Sequence, residues 1–125
     1  MTKKYISLFK SGKFYNAFGD DGIIIHFLLG YKYTEYKHSV GFPESAYNKV
    51  INKLQMEKIS YKVFQKENLL DEYKGVSGVY TMLLKNGLKH FDMEKRVERL
   101  KENIESLSLD ELEKIVERLE DASVL

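Results

Sequence analysis

Residues 8–21, Leu-Phe-Lys-Ser-Gly-Lys-Phe-Tyr-Asn-Ala-Phe-Gly-Asp-Asp, restrict the fold more than any other stretch of the sequence. Two β-forming runs, residues 5–9 and 13–18, flank Ser11-Gly12, and glycine accepts the positive φ that a tight hairpin demands. Gly19 then breaks the second strand, and Asp20 or Asp21 can cap a following helix. That helix carries Ile23, Ile24, Ile25, Phe27, Leu28 and Leu29, with Gly30 as its stop signal. Being apolar on most sides, it is expected to be buried against a sheet.

The downstream pattern continues in the same style. Residues 31–36, Tyr-Lys-Tyr-Thr-Glu-Tyr, alternate and are rich in β-formers, and residues 38–42 read as another short strand. Pro43 opens a second helix, in which Ala46, Val50, Ile51 and Leu54 recur at helical spacing. Residues 60–66 return to strand. From Leu69 onward the period is helical throughout, with segments expected over 76–89, 92–107 and from Ser108, where Ser108 and Glu111 form a capping-box pattern. The expected fold is therefore α+β: a small mixed β-sheet with flanking helices over residues 1–67. A C-terminal acidic helical segment over 68–125 follows, packed on the core or used for association.

At 125 residues the chain has the size of one domain, and 43% hydrophobic with 31% charged residues places it among globular proteins. No apolar run approaches the roughly 20 residues of a membrane-spanning helix, the basic N-terminus is too short in apolar residues for a signal peptide, and cysteine is absent. A cytoplasmic protein with no membrane partner is the expectation. The net charge of +1 conceals an asymmetry. Residues 1–66 hold 11 lysines against five acidic residues, whereas residues 67–125 hold nine basic against 14 acidic residues. Such a division fits two surfaces with different partners, and equally fits solvated charge segregated by helix solubility.

Catalytic signatures are missing. No phosphate-cradling Gly-x-x-x-x-Gly-Lys-Ser/Thr occurs, and Gly75-Val76-Ser77-Gly78 reads as a turn. His26, His38 and His90 lack paired ligand spacing, so neither a metal nor another cofactor is expected. A metal-dependent nuclease built on Asp20, Asp21 and Glu35 is conceivable, but helix capping accounts better for the aspartates. The chain is expected not to be an enzyme.

Strand alternation puts Phe14, Asn16 and Phe18 on one side and Lys13, Tyr15 and Ala17 on the other, so both faces carry an aromatic ring. If only one face is core, a large ring just after the hairpin is exposed. A phenylalanine ringed by Lys3, Lys4, Lys10 and Lys13 has the composition of a residue that stacks on a nucleobase while lysines hold phosphates. A strand buried on both faces, with Phe14 in the core, explains the composition at least as well.

A family resemblance shifts this balance. Residues 12–18, Gly-Lys-Phe-Tyr-Asn-Ala-Phe, resemble the Gly-x-Phe-Tyr-Glu-x-Phe signature of MutS domain I, the mismatch-recognition domain, and Gly19-Asp20-Asp21 fits the helix start that follows it there. Residues 40–47, Val-Gly-Phe-Pro-Glu-Ser-Ala-Tyr, resemble the family's Ala-Gly-Ile-Pro-x-His-Ala segment, and residues 61–66 are similar to its strand ending in Glu-Gln. The resemblance covers about residues 3–67. It implies that Phe14 stacks on a mispaired base from the minor groove, that Asn16 stands where a glutamate contacts that base, and that Tyr15 packs inward. Asparagine both donates and accepts where a carboxylate only accepts, so the family's discrimination does not carry over unaltered.

The resemblance thus implies a non-catalytic DNA-binding accessory protein, with Phe14, Asn16, Lys13, Lys10, Lys3 and Lys4 as contact residues. Its ligand would be mispaired, bent or single-stranded DNA. A lone module covers only about 600–1,000 Å² on DNA, so affinity alone is expected to be weak, on the order of 10⁻⁴ to 10⁻⁶ M. A protein partner or a homodimer through the C-terminal helices would supply the rest. The alternative is a protein-interaction adaptor on the same fold with little DNA affinity, serving a reverse transcriptase or mobile element as some stand-alone relatives do.

Overall fold

The computed structural model describes residues 5–105, with side chains through residue 102. The chain divides into two compact units, Met1–Phe91 and Asp92–Leu125.

The hairpin forms as its sequence requires. Strands β1 (Ile6–Ser11) and β2 (Phe14–Phe18) pair antiparallel, with Phe9 opposite Asn16 and Ser11 opposite Phe14. The two-residue loop between them starts at Gly12 with φ 60°, the left-handed value that a primed turn needs at its first position. Helix α1 (Asp20–Leu29) follows and ends at Gly30 in the left-handed conformation. Five consecutive residues, Asp21–Ile25, are buried, so this helix is enclosed around its circumference, matching its all-round apolar sequence.

Strand β3 is only Tyr33–Thr34, shorter than the alternation of residues 31–36 implies, because residues 35–38 form a turn in which His38 adopts φ 50°. Strand β4 (Ser39–Pro43) ends at the proline, and a 3₁₀ turn, Glu44–Ala46, leads into α2 (Tyr47–Met56), whose Val50, Ile51 and Leu54 are buried. Strand β5 (Tyr61–Gln65) runs parallel to β1.

Two expectations are overturned. Residues Asn68–Tyr73 form strand β6, antiparallel to β5, where helix was expected from Leu69 on. Pairing with β5 satisfies the backbone groups on one edge of this outermost strand, and Tyr73 stacks on Tyr61 with ring centroids 5.6 Å apart. Helix α3 then runs unbroken over Val79–Glu105 rather than stopping near residue 89. The segment expected to be helical from Ser108 lies outside the described residues.

The result is an α+β fold around a six-stranded mixed sheet of order β3-β4-β2-β1-β5-β6. In unit Met1–Phe91 one sheet face forms the core: Ile6, Leu8, Tyr15, Ala17, Val40, Phe42, Tyr61 and Val63 pack with Ile24 and Ile25 of α1, Val50 and Leu54 of α2, and Tyr80 and Leu83 of α3. Gly75 joins the last strand to α3 through a close approach. A side chain there would meet the Lys58 carbonyl oxygen, while its N–H donates to Ser60 Oγ at 2.8 Å. In unit Asp92–Leu125, Arg96 pairs with Asp92 one turn earlier at 3.2 Å, and Met93, Val97 and Leu100 are exposed. Among the described residues, no helix is long and apolar enough to cross a membrane.

Candidate nucleic-acid interface

The two faces of β2 resolve the question that its two aromatic sides posed. Tyr15 is 7% exposed and stacks on Phe42 and Tyr47, with centroids 5.5 and 4.8 Å away, so it is the core residue. Phe14 is 55% exposed and Phe18 50%, on the opposite face with half-buried Asn16 between them. Phe14 is held at the hairpin end of the sheet, opposite Ser11 on one side and Pro43 on the other. The adjoining Lys13 carbonyl accepts the Glu44 N–H at 2.8 Å, which ties the hairpin to the turn after β4.

The lysines distribute less simply than the sequence implied. Lys13 is exposed in the hairpin loop beside Phe14. Lys10 faces the other way: it is paired in register with Tyr15, its Nζ lies 5.9 Å from the Tyr15 ring and 3.7 Å from a Glu44 carboxylate oxygen. It therefore sits on the helix side, not around Phe14. Lys3 and Lys4 lie outside the described residues.

Several residues that sequence reasoning did not single out share the open face. The register aligns Gly41, Asn16, Phe9, Phe64 and Leu69 in one row across β4, β2, β1, β5 and β6. Phe9 is 39% exposed and packs against Phe64 at 5.6 Å and Phe18 at 5.9 Å. Lys62 alternates onto the same face as Phe64, and its Nζ lies 4.6 Å from the Tyr5 ring centroid. Gly41 gives Asn16 its room, since a Cβ there would stand 3.0 Å from Asn16 Oδ1. Alternation on residues 5–9 and 60–66 could have identified Phe9 and Phe64; the register that makes them neighbours is a long-range property.

The aspartates that opened α1 do not cap it. Gly19 occupies the N-cap without a side-chain hydrogen bond. Asp21, 3% exposed, instead accepts the Ser7 N–H at 3.1 Å and the Tyr80 hydroxyl at 2.7 Å, linking β1, α1 and α3 at a point of β1 that the β1–β2 pairing does not reach. Burial first, and this hydrogen bond second, push the Tyr80 phenol well above its ordinary pKa. Tyr47 is raised in the same manner by burial and by donating to Asp71 at 2.9 Å. Asp20 is exposed in the first turn of α1, and Glu35 sits in the turn between β3 and β4. His26 and His90, far apart in sequence, come within 6.0 Å between ring centroids in the helix layer. A cavity of about 400 Å³ at the end of β5 and β6 is lined by Tyr5, Tyr73 and Lys74 among others, and meets the open face at Lys62 and its register partner Glu72.

Comparison with known proteins accords with this geometry. Curated proteins give no match. Among protein families, the one described as MutS domain I matches residues 1–82, which extends past the hairpin and the Gly41-Phe42-Pro43 segment through β6 into the start of α3. That match spans well over half of the sequence, and the chain belongs to the MutS domain I family.

Proposed function

We propose that the protein is a non-catalytic DNA-binding accessory module that uses Phe14 as a wedge against an unpaired or mispaired base. The observation that carries this reading is the exposure of Phe14, 55%, on a strand whose neighbouring Tyr15 is buried. The half of the Phe14 surface left in water beside the exposed Lys13 contributes nothing to packing, whereas stacking on a base stabilises by roughly 1–3 kcal/mol. Asn16, two residues along the same face, brings an amide that can both donate to and accept from a base edge. Lys13 and Lys62 supply charge for phosphates. With so few cations, affinity is expected near 10⁻⁴ to 10⁻⁶ M at physiological salt, on the order of ordinary non-specific binding. A partner that raises the local concentration would then be needed, and the exposed Met93, Val97 and Leu100 offer an apolar stripe at helical spacing for it.

Fluorescence anisotropy with matched, mispaired and bulged duplexes tests the reading. Mispaired and bulged DNA should bind more tightly than matched duplex, with affinity falling as salt rises. Equal affinity for all duplexes would remove the wedge and leave only non-specific phosphate binding, and no affinity for any DNA at low salt would leave an interaction adaptor on the same fold.

A further inference from the structure

The open sheet face carries more aromatic surface than one wedge requires. Phe18, Phe9 and Phe64 stand on three adjacent strands, with successive ring centroids 5.9 and 5.6 Å apart. Asn16 lies beside Phe9 in the same cross-strand row and between Phe14 and Phe18 on its own strand. With strands about 4.8 Å apart, the three rings extend over roughly 10 Å. The minor groove of B-DNA is only about 6 Å wide, so it admits one ring edge-on and not this row. In the major groove the rings would meet polar base edges, because the faces of paired bases are hidden in the stack. Only bases splayed from a strand present π-faces to such a surface.

The charge around the row fits the same ligand. Lys13 at the β1–β2 hairpin and Lys66 at the β5–β6 turn lie at one end of the sheet, and Lys62 lies on the face itself beside Phe64. Glu67 and Glu72 place negative charge on the β6 side, so few phosphate contacts are available and stacking must supply most of the affinity.

We infer that this face is a binding platform for single-stranded nucleic acid, with Phe9, Phe18 and Phe64 stacking on successive unpaired bases and Asn16 contacting a base edge among them. The inference deepens the function proposed above and rests on the same interface being used for nucleic acid.

The test is anisotropy of the full chain with a labelled single strand of about 12 nucleotides, within the usual site size of such platforms, and with the matched and mispaired duplexes of the same sequence. Phe9→Leu and Phe64→Leu keep apolar bulk but remove the π-face, so folding is preserved while stacking is lost. The single strand should bind more tightly than either duplex. Each leucine variant should weaken that binding roughly tenfold, while lowering the thermal midpoint by only a few degrees through the lost ring contacts. The log–log salt slope should be shallow, about −2 for three phosphate contacts. Duplex preferred over single strand, or leucine variants that bind the single strand as the native chain does, would overturn the platform. If Phe14→Ala abolishes binding to mispaired duplex while both leucine variants leave all binding intact, the platform fails and the wedge stands. If no oligonucleotide binds, both fail. Leucine substitutions that dissociate a dimer in sedimentation, with no effect on binding, would assign the face to a second copy of the chain and overturn the inference.

Discussion

Strand β2 has a covered side and an open side, and each obeys a different constraint. On the covered side Tyr15 is 7% and Ala17 0% exposed, locked between the rings of Phe42 and Tyr47 and the helices above them. On the open side Phe14 and Phe18 leave half their surface in water. Hydrophobic burial explains the first side completely and the second only in part. Large apolar groups that fold stability does not require are where function is to be sought, and here they converge on a single amide, Asn16.

The widest separation between the sides should come from Tyr15→Ala. Emptying a buried aromatic site costs about 3–5 kcal/mol, so urea or thermal unfolding should show a large loss, and binding should disappear with the fold. A small loss would mean that Tyr15 is not the packing half of the pair. Next in size is Asp21→Asn, which disturbs the acceptor shared by the Ser7 N–H and the Tyr80 hydroxyl. Leaving a buried partner unsatisfied costs about 1–3 kcal/mol, detectable in the same melts. This change belongs wholly to the covered side, so the residual affinity of the folded fraction should match that of the native chain.

Alkaline pH probes the covered side again. Tyr80 and Tyr47 titrate above their unfolded values in the fold, so their hydroxyls stay protonated where unfolded tyrosines ionise near 10. The stability these two hydroxyls contribute is therefore fully present below about pH 10 and is lost as pH rises beyond it. Near-ultraviolet difference absorbance should show the Tyr80 and Tyr47 phenols ionising only as the protein unfolds. The smallest effect is expected from Gly41→Ala. Its methyl would crowd Asn16 Oδ1 and turn the amide, so selectivity among mispaired bases should change several-fold while stability barely moves.

Much of this arrangement was legible before any coordinates. Glycine chemistry at Gly12 and Gly30, the apolar run of α1 and the period-2 pattern of β2 are local signals, and all three hold. Strand β6 was not legible: Leu69 and Leu70 stand in a run with no clean alternation, and only pairing with β5 defines it as a strand. Asp21 misled for a related reason. An aspartate before an apolar helix resembles a cap, and its partners, Ser7 and Tyr80, are 14 and 59 residues away. On the open face, Phe14 and Asn16 are legible from alternation and resemblance. Charge counting ignores the pleat and so does not reveal that Lys10 shares the covered side with Tyr15, and the meeting of Phe9 and Phe64 depends on the parallel β1–β5 register, which no local pattern encodes.

The central claim is that the Phe14 ring serves a nucleobase and not the fold, and Phe14→Ala measures this most directly when melting and anisotropy on a mispaired duplex are recorded on the same samples. The ring's half-exposed position on a strand predicts a stability loss of about 1 kcal/mol, well short of that of Tyr15→Ala, together with roughly tenfold weaker binding. A melt shifted as far as that of Tyr15→Ala, or a titration unchanged from the native chain, would contradict it.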